Sequence, residues 1–139
     1  MTVTLTSRKR TRQQLRDLLD EITTLVEVFD HQAVDFGRRT PVAMVYSDGT
    51  RTQFPDYARE YHRFIIEFWW GRDDANLTED YLDDLAQEVR QKLYDNMEAS
   101  GYWEDIAFDE EFSELDYPIV DGIQYRRERL RVTVFVICE

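Results

Sequence analysis

The sequence predicts an α+β domain: one mainly antiparallel sheet with two helices packed on one face, ordered helix, hairpin, strand, helix, strand, strand. Three observations predict it. Residues 7–29 and 79–98 repeat apolar side chains every three or four positions, the period of a buried helix stripe. Residues 61–70 and 125–138 alternate apolar side chains at every second position, the period of a strand. Consecutive strands with only two helices fit a layer of helices on a sheet. The 139 residues suit a single domain over 1–139, with 1–6 expected to be a flexible terminus. A hydrophobic fraction of 42% can fill one core, and 14% aromatic content argues against disorder.

In the first helix the stripe is Leu15, Leu18, Leu19, Ile22, Leu25, Val26 and Phe29, and Ser7 is a candidate cap. Gly37 and Thr40-Pro41 mark a connection. Val42–Tyr46 and Thr50–Phe54 then read as the two arms of a hairpin. Asp48-Gly49 is its turn, because this pair supplies the positive φ angles of a type I′ turn. Pro55 ends the second arm or places it at an edge. Residues 61–70, YHRFIIEFWW, form the clearest strand. It sends Phe64, Ile66, Phe68 and Trp70 to one face and Arg63, Ile65, Glu67 and Trp69 to the other. The second helix carries Leu82, Leu85, Ala86, Val89, Leu93 and Met97, with Thr78 as its cap and Ser100-Gly101 as its stop. A short strand at 102–109 points Ile106 and Phe108 inward, and 110–124 reads as a long loop. The closing strand sets Leu130, Val132, Val134 and Val136 against Arg131, Thr133, Phe135 and Ile137.

Charge is unevenly placed. The net value is −12. Yet residues 1–16 hold five basic side chains and no acid, and residues 73–116 hold sixteen acids and two bases. Residues 126–131, RRERLR, are basic again. The net charge disfavours nucleic acid and anionic membranes as partners. Opposite patches on one chain suit head-to-tail contact between copies. No apolar run reaches the roughly 18 residues of a membrane-spanning helix, and the N-terminus lacks the order of a signal peptide, so a soluble intracellular protein is expected.

The motifs of chemistry are missing. His31 and His62 are the two histidines, and neither has a Ser or Cys in a recognisable elbow. Cys138 is the single cysteine, which excludes an internal disulfide and a thiolate zinc cluster. There is no phosphate-binding loop, dinucleotide fingerprint or zinc-protease motif. The doublets Asp73-Asp74 and Asp83-Asp84 and the triplet Asp109-Glu110-Glu111 place carboxylates at adjacent positions, where they diverge and chelate poorly. No catalytic, metal or cofactor residue is therefore assigned. In Trp69-Trp70 one ring faces each way, and Trp is enriched at contact hot spots.

The segment LTEDYLDDLAQEVRQKLYDNM at 77–97, a short strand and loop, and QYRRERLRVTVFVICE at 124–139 follow the leading helix and early hairpin. Over roughly 8–138 this resembles the tail-terminator (tail-completion) proteins of long-tailed bacteriophages, by element order and hydrophobic pattern. The resemblance implies a virion protein of the tail or neck, assembled in the host cytoplasm and without enzymatic activity. It would form a ring, commonly a hexamer, that caps the head-proximal end of the tail tube. Its partners would be other copies, the tail tube protein and the head-completion or connector protein, with no membrane. DNA would pass through the channel without specific binding, and an acidic lining would not hold it. On this reading Arg8, Arg10, Arg12, Trp69, Trp70, Arg126 and Arg127 contact subunits or neighbours, and Asp109, Glu110 and Glu111 face the channel. The alternatives are a head–tail connector or other neck ring, a carboxylate-based metal-dependent enzyme, and a monomeric binding or regulatory module.

Overall fold

The computed structural model describes residues 8–33, 39–53, 59–71, 75–99, 101–108 and 112–137. In chain order they form α1 (Arg8–Leu19), β1 (Glu27–Phe29), β2 (Val42–Gln53), β3 (Arg59–Gly71), α2 (Ala75–Tyr94), β4 (Asp105–Phe108), β5 (Glu114–Asp116), β6 (Ile119–Val120) and β7 (Ile123–Ile137). The sheet order is β1-β2-β3-β7-β4, and β5 and β6 also pair with β7. All described pairings are antiparallel except β1 with β2. The expected α+β architecture is therefore present. Ser7, Gly37, Phe54, Pro55, Asp73, Asp74, Ser100, Asp109, Glu110, Glu111, Cys138 and the segment 1–6 lie outside the described residues.

Both helices pack on one face of the sheet. Leu15, Leu18 and Leu19 of α1 and Leu82, Leu85, Ala86, Val89 and Leu93 of α2 share a core with Ala43, Val45, Phe64, Ile66, Phe68, Leu130, Val132, Val134 and Val136. Each large apolar side chain buried there contributes about 1.5–3 kcal/mol relative to exposure. On the opposite face a smaller cluster joins Ala33, Val42, Met44, Trp69 and Tyr125. The two faces of β3 and β7 are those that alternation predicts.

Several expectations need correction. The first helix does not reach Phe29 but ends at Leu19. The amides of Ile22 and Leu25 bond back three residues, at 3.0 and 3.2 Å, and Val26 then donates to the Pro41 carbonyl at 2.8 Å. Glu27–Phe29 continues as a parallel strand beside Val42–Met44. The paired threonines 23 and 24 are weak helix formers whose hydroxyls compete for the backbone, and Val28-Phe29 gains a strand partner. Beyond Ile22 the expected stripe fails too: Val26 is exposed, Leu25 and Phe29 are half-buried, and the strand buries Val28, which lies off the stripe.

Asp48-Gly49 is no hairpin turn. Val42–Gln53 is one strand, and its register with β3 slips between Ser47 and Gly49, which leaves Asp48 as the extra residue of a bulge. Gly49 there has φ +128°. The hairpin is β2 with β3. A two-residue turn of the expected type does occur, at Asp121 (φ 51°) and Gly122 (φ 75°) between β6 and β7.

α2 starts at Ala75 and ends at Tyr94, so Thr78 is inside it rather than at its cap, and Met97 lies beyond it and exposed. Gly101 at φ +82° turns the chain so that Trp103 comes back under the helix end. Its indole donates to the Asn96 carbonyl at 3.1 Å. Finally, 110–124 is not all loop, because β5 and β6 lie within it. Ile106 is buried as expected, but Phe108 is 41% exposed at the last position of β4. It lines an open groove of about 570 Å³ with Tyr94, Ala86 and Arg90 of α2.

Candidate functional site

Strand alternation divides the arginine run of β7. Arg127, Arg129 and Arg131 point to the face away from the helices, while Arg126 and Glu128 point with Leu130 toward the helices. On the open face the centre is Glu67 of β3, 1% exposed. Its carboxylate accepts from Trp69 Nε1 at 2.6 Å, Tyr46 Oη at 2.6 Å and Arg129 Nε at 3.0 Å, with Arg127 Nη1 at 3.8 Å. Arg127 also donates from Nε to Asp116 Oδ1 at 2.8 Å. Arg131 donates to Glu114 Oε1 at 2.7 Å, and Glu114 lies 3.7 Å from Arg129. Asp48 stands 3.8 Å from Arg131 and 3.5 Å from Arg63. Acids and arginines thus alternate across β5, β7, β3 and the β2 bulge.

This ladder sets local titration. The Arg127 hydrogen bond holds Asp116 below the ordinary carboxylate range, and the Arg131 hydrogen bond does the same for Glu114. Burial, reinforced by the hydrogen bond and charge of Glu67, pushes the Tyr46 phenol up to about 12, with Arg129 opposing. Toward the helices, Arg126 is 4% exposed and ties β7 to α2. It donates to Glu79 Oε1 at 2.7 Å and to Tyr117 Oη at 2.6 Å. Glu128 accepts from Arg90 of α2 at 3.1 Å, and burial raises its carboxyl above the ordinary range while Arg90 opposes.

The sequence-predicted contact residues fall into three groups. Arg126 and Arg127 have the intramolecular partners just given. Trp69 is buried, with Arg127 stacked 4.9 Å above its ring and Tyr125 edge-on at 5.6 Å. Trp70 leans on the main core and stacks with Tyr81 at 5.3 Å. Arg8, Arg10 and Arg12 lie at the start of α1. Arg8 donates to Thr50 Oγ1 at 3.2 Å and Arg12 to Ser47 Oγ at 3.3 Å, while the Arg10 guanidinium covers the Tyr102 ring at 4.4 Å. The structure brings Arg8 and Arg12 to β2 and does not bring them to Arg126.

Sequence reasoning missed Glu67, Glu114 and Asp116 as partners of the run. The signal was available for Glu67, which alternation already placed beside Trp69. The segment that holds β5 and β6 presents a band of exposed apolar side chains, Phe112, Leu115, Tyr117 and Ile119; the sequence had marked Phe112, Tyr117 and Ile119 there as docking residues and missed Leu115. His62 is buried at 1% exposure, with Nδ1 3.0 Å from Thr50 Oγ1 and Nε2 3.4 Å from Glu60 Oε2. A hydroxyl, an imidazole and a carboxylate in that order are the parts of an activated nucleophile. Here Arg8 already donates to the hydroxyl oxygen, and the carboxylate is itself buried. Among the described residues no group of three or more His, Cys, Asp or Glu is arranged to hold a metal, and no helix is long and apolar enough to cross a membrane.

No protein-family model matches the chain, and no curated protein matches it. Among solved structures it is similar to a chain of the virion of a native gene transfer agent (GTA) particle. The two share 13% identity and a TM-score of 0.49, over 93% of each chain.

Proposed function

We propose that this chain is a structural virion protein that assembles into a ring, the six-membered ring implied by the tail-terminator resemblance. The ring caps the head-proximal end of a tail tube, ends its polymerisation and receives the head-completion proteins. The observation that carries this reading is segregated charge. Arg127, Arg129 and Arg131 are matched within the chain by Glu67, Asp116 and Glu114. Exposed positive charge remains at the first turn of α1, with Arg8, Lys9 and Arg10, and exposed acids line α2 at Asp80, Asp83, Asp84 and Glu88. Two unlike patches on one body favour a head-to-tail contact, which closes into rings or extends into filaments. Asp109, Glu110 and Glu111 belong to the proposed channel lining, past which DNA moves without being held.

Mass photometry and negative-stain imaging of the purified protein, alone and with assembled tail tube, test this. A ring of discrete mass, free or at one tube end, is expected. Single subunits in both conditions overturn the reading.

A further inference from the structure

We infer that the outer margin of β2 is the docking site for β4 of a second copy of this chain, which adds to it as an antiparallel strand. The inference rests on the assembly reading above and names the two edges that meet. β1 pairs only with residues 42–44, so among the described residues no strand lies along the outer side of β2 from 45 to 53. Beyond the bulge this margin is a regular run over 49–53, and residues 49–52 are exposed. β4 stands at the opposite end of the sheet order, and among the described residues no strand pairs with its outer side. A strand edge without a ladder partner is a template that takes up another strand.

Register sets the two edges at one level. Arg51 stands opposite Tyr61, Tyr61 opposite Phe135, and Phe135 opposite Asp105. The next row runs from Thr50 through His62 and Val134 to Ile106. β4 is therefore level with the regular run of β2. Each of β2, β3, β7 and β4 runs opposite to its neighbour, so β4 runs opposite to β2. A second copy moved alongside without being turned over presents its β4 antiparallel to β2. Its helices then stay on the same side of the joined sheet.

Charge complementarity identifies the occupant. Arg51 is exposed and lies 4.5 Å over the Tyr61 ring, on the face away from the helices. Asp105 is exposed in the same row. Among the described residues neither has an ion-pair partner. Level pairing sets Arg51 of one copy opposite Asp105 of the next, a stabilising cross-strand pair of opposite charge. Two β2 margins, or two β4 margins, bring like charges together instead. The two edges close opposite ends of one sheet, so a copy cannot join its own. The contact is heterologous and propagates around a ring.

A disulfide tests the pairing. Within one copy Arg51 and Asp105 are three strand spacings apart, about 14 Å. A disulfide needs Cα atoms within about 7 Å, so one between these positions forms only between copies. Cys138→Ser removes the native thiol. In that background Arg51→Cys/Asp105→Cys is expected to give, on mild oxidation of the assembled protein, a ladder of covalent multimers that reductant dissolves. Either cysteine alone is expected to give nothing beyond a dimer. Wild-type amide exchange is a second reading that needs no substitution. Outward amides of 49–53 and 105–108 are expected to exchange at least about 100-fold more slowly in the ring than in single subunits. If the double variant assembles and forms no ladder, the docking site is wrong while the ring reading stands. Should that variant fail to assemble, equal exchange in the wild-type ring and in single subunits has the same meaning. If the wild type stays single even on tail tube, both fail. If the β2 amides slow only when tail tube is added and no ladder forms, the margin receives a strand of the tube and the proposal is overturned.

Discussion

Replacing Glu67 with alanine is the sharpest test of how the open face holds together. Glu67 is 1% exposed and accepts hydrogen bonds from Tyr46, Trp69 and Arg129. The substitution leaves the buried Trp69 indole without its acceptor, at a cost of about 1–3 kcal/mol. It also breaks a buried ion pair, a change that costs about 3–5 kcal/mol when one partner is removed. The second cost is reduced here, because Arg127 keeps Asp116 and Arg129 keeps Glu114. The net expectation is a loss of about 3–4 kcal/mol, a large share of the roughly 5–15 kcal/mol that stabilises a typical domain. For a chain of 139 residues that is a fall in Tm of about 10–15 °C. In urea the midpoint should drop by about 2 M at an unchanged slope. Glu67→Gln keeps an acceptor oxygen and loses the charge, so it should cost about half as much. A loss below about 1 kcal/mol for Glu67→Ala would refute the reasoning, because the arginines would then be held without it.

Two further outcomes follow from the same face. Tyr46 should ionise near pH 12 in an ultraviolet absorbance titration, and Glu67→Gln should move it back toward 10. Because its folded value is raised, the stability it contributes is fully present below about pH 10 and is lost as the pH climbs toward 12. Gly49→Ala should cost about 1–3 kcal/mol in urea denaturation despite the open space around it, since φ +128° strains any side-chain-bearing residue. An unchanged midpoint would show that the bulge relaxes freely.

Much of the fold was legible because burial obeys periods. The faces of Phe64, Ile66 and Phe68, and of Leu130, Val132, Val134 and Val136, were assigned from alternation alone, and the structure buries all of them. What failed was punctuation. The two Asp-Gly pairs are the same local signal, yet only Asp121-Gly122 turns the chain. At Asp48-Gly49 the ladder of β2 with the long β3 overrode the dipeptide and absorbed it as a bulge. Likewise the first stripe reported burial as far as Ile22, and past it the change to a strand buried Val28 and exposed Val26. The candidate site was less legible still. A basic run reads as a free patch until Glu67, Glu114 and Asp116, distant in sequence, are seen to meet it, and the two level strand edges required knowing the sheet order.

β7 has one long neighbour and three brief ones. Along one margin it exchanges partners with β3 at thirteen positions. Along the other it is shared by β4, β5 and β6 at four, three and two positions. Amide exchange should therefore be lopsided, slowest toward β3 and fastest where β5 and β6 attach. The stretch bearing Phe112, Leu115, Tyr117 and Ile119 can then peel away at the expense of a few bonds while the interior stays shut. One molecule combines a stiff plate with a pliant greasy flap, a pairing that lets it mould to an adjoining surface without unfolding.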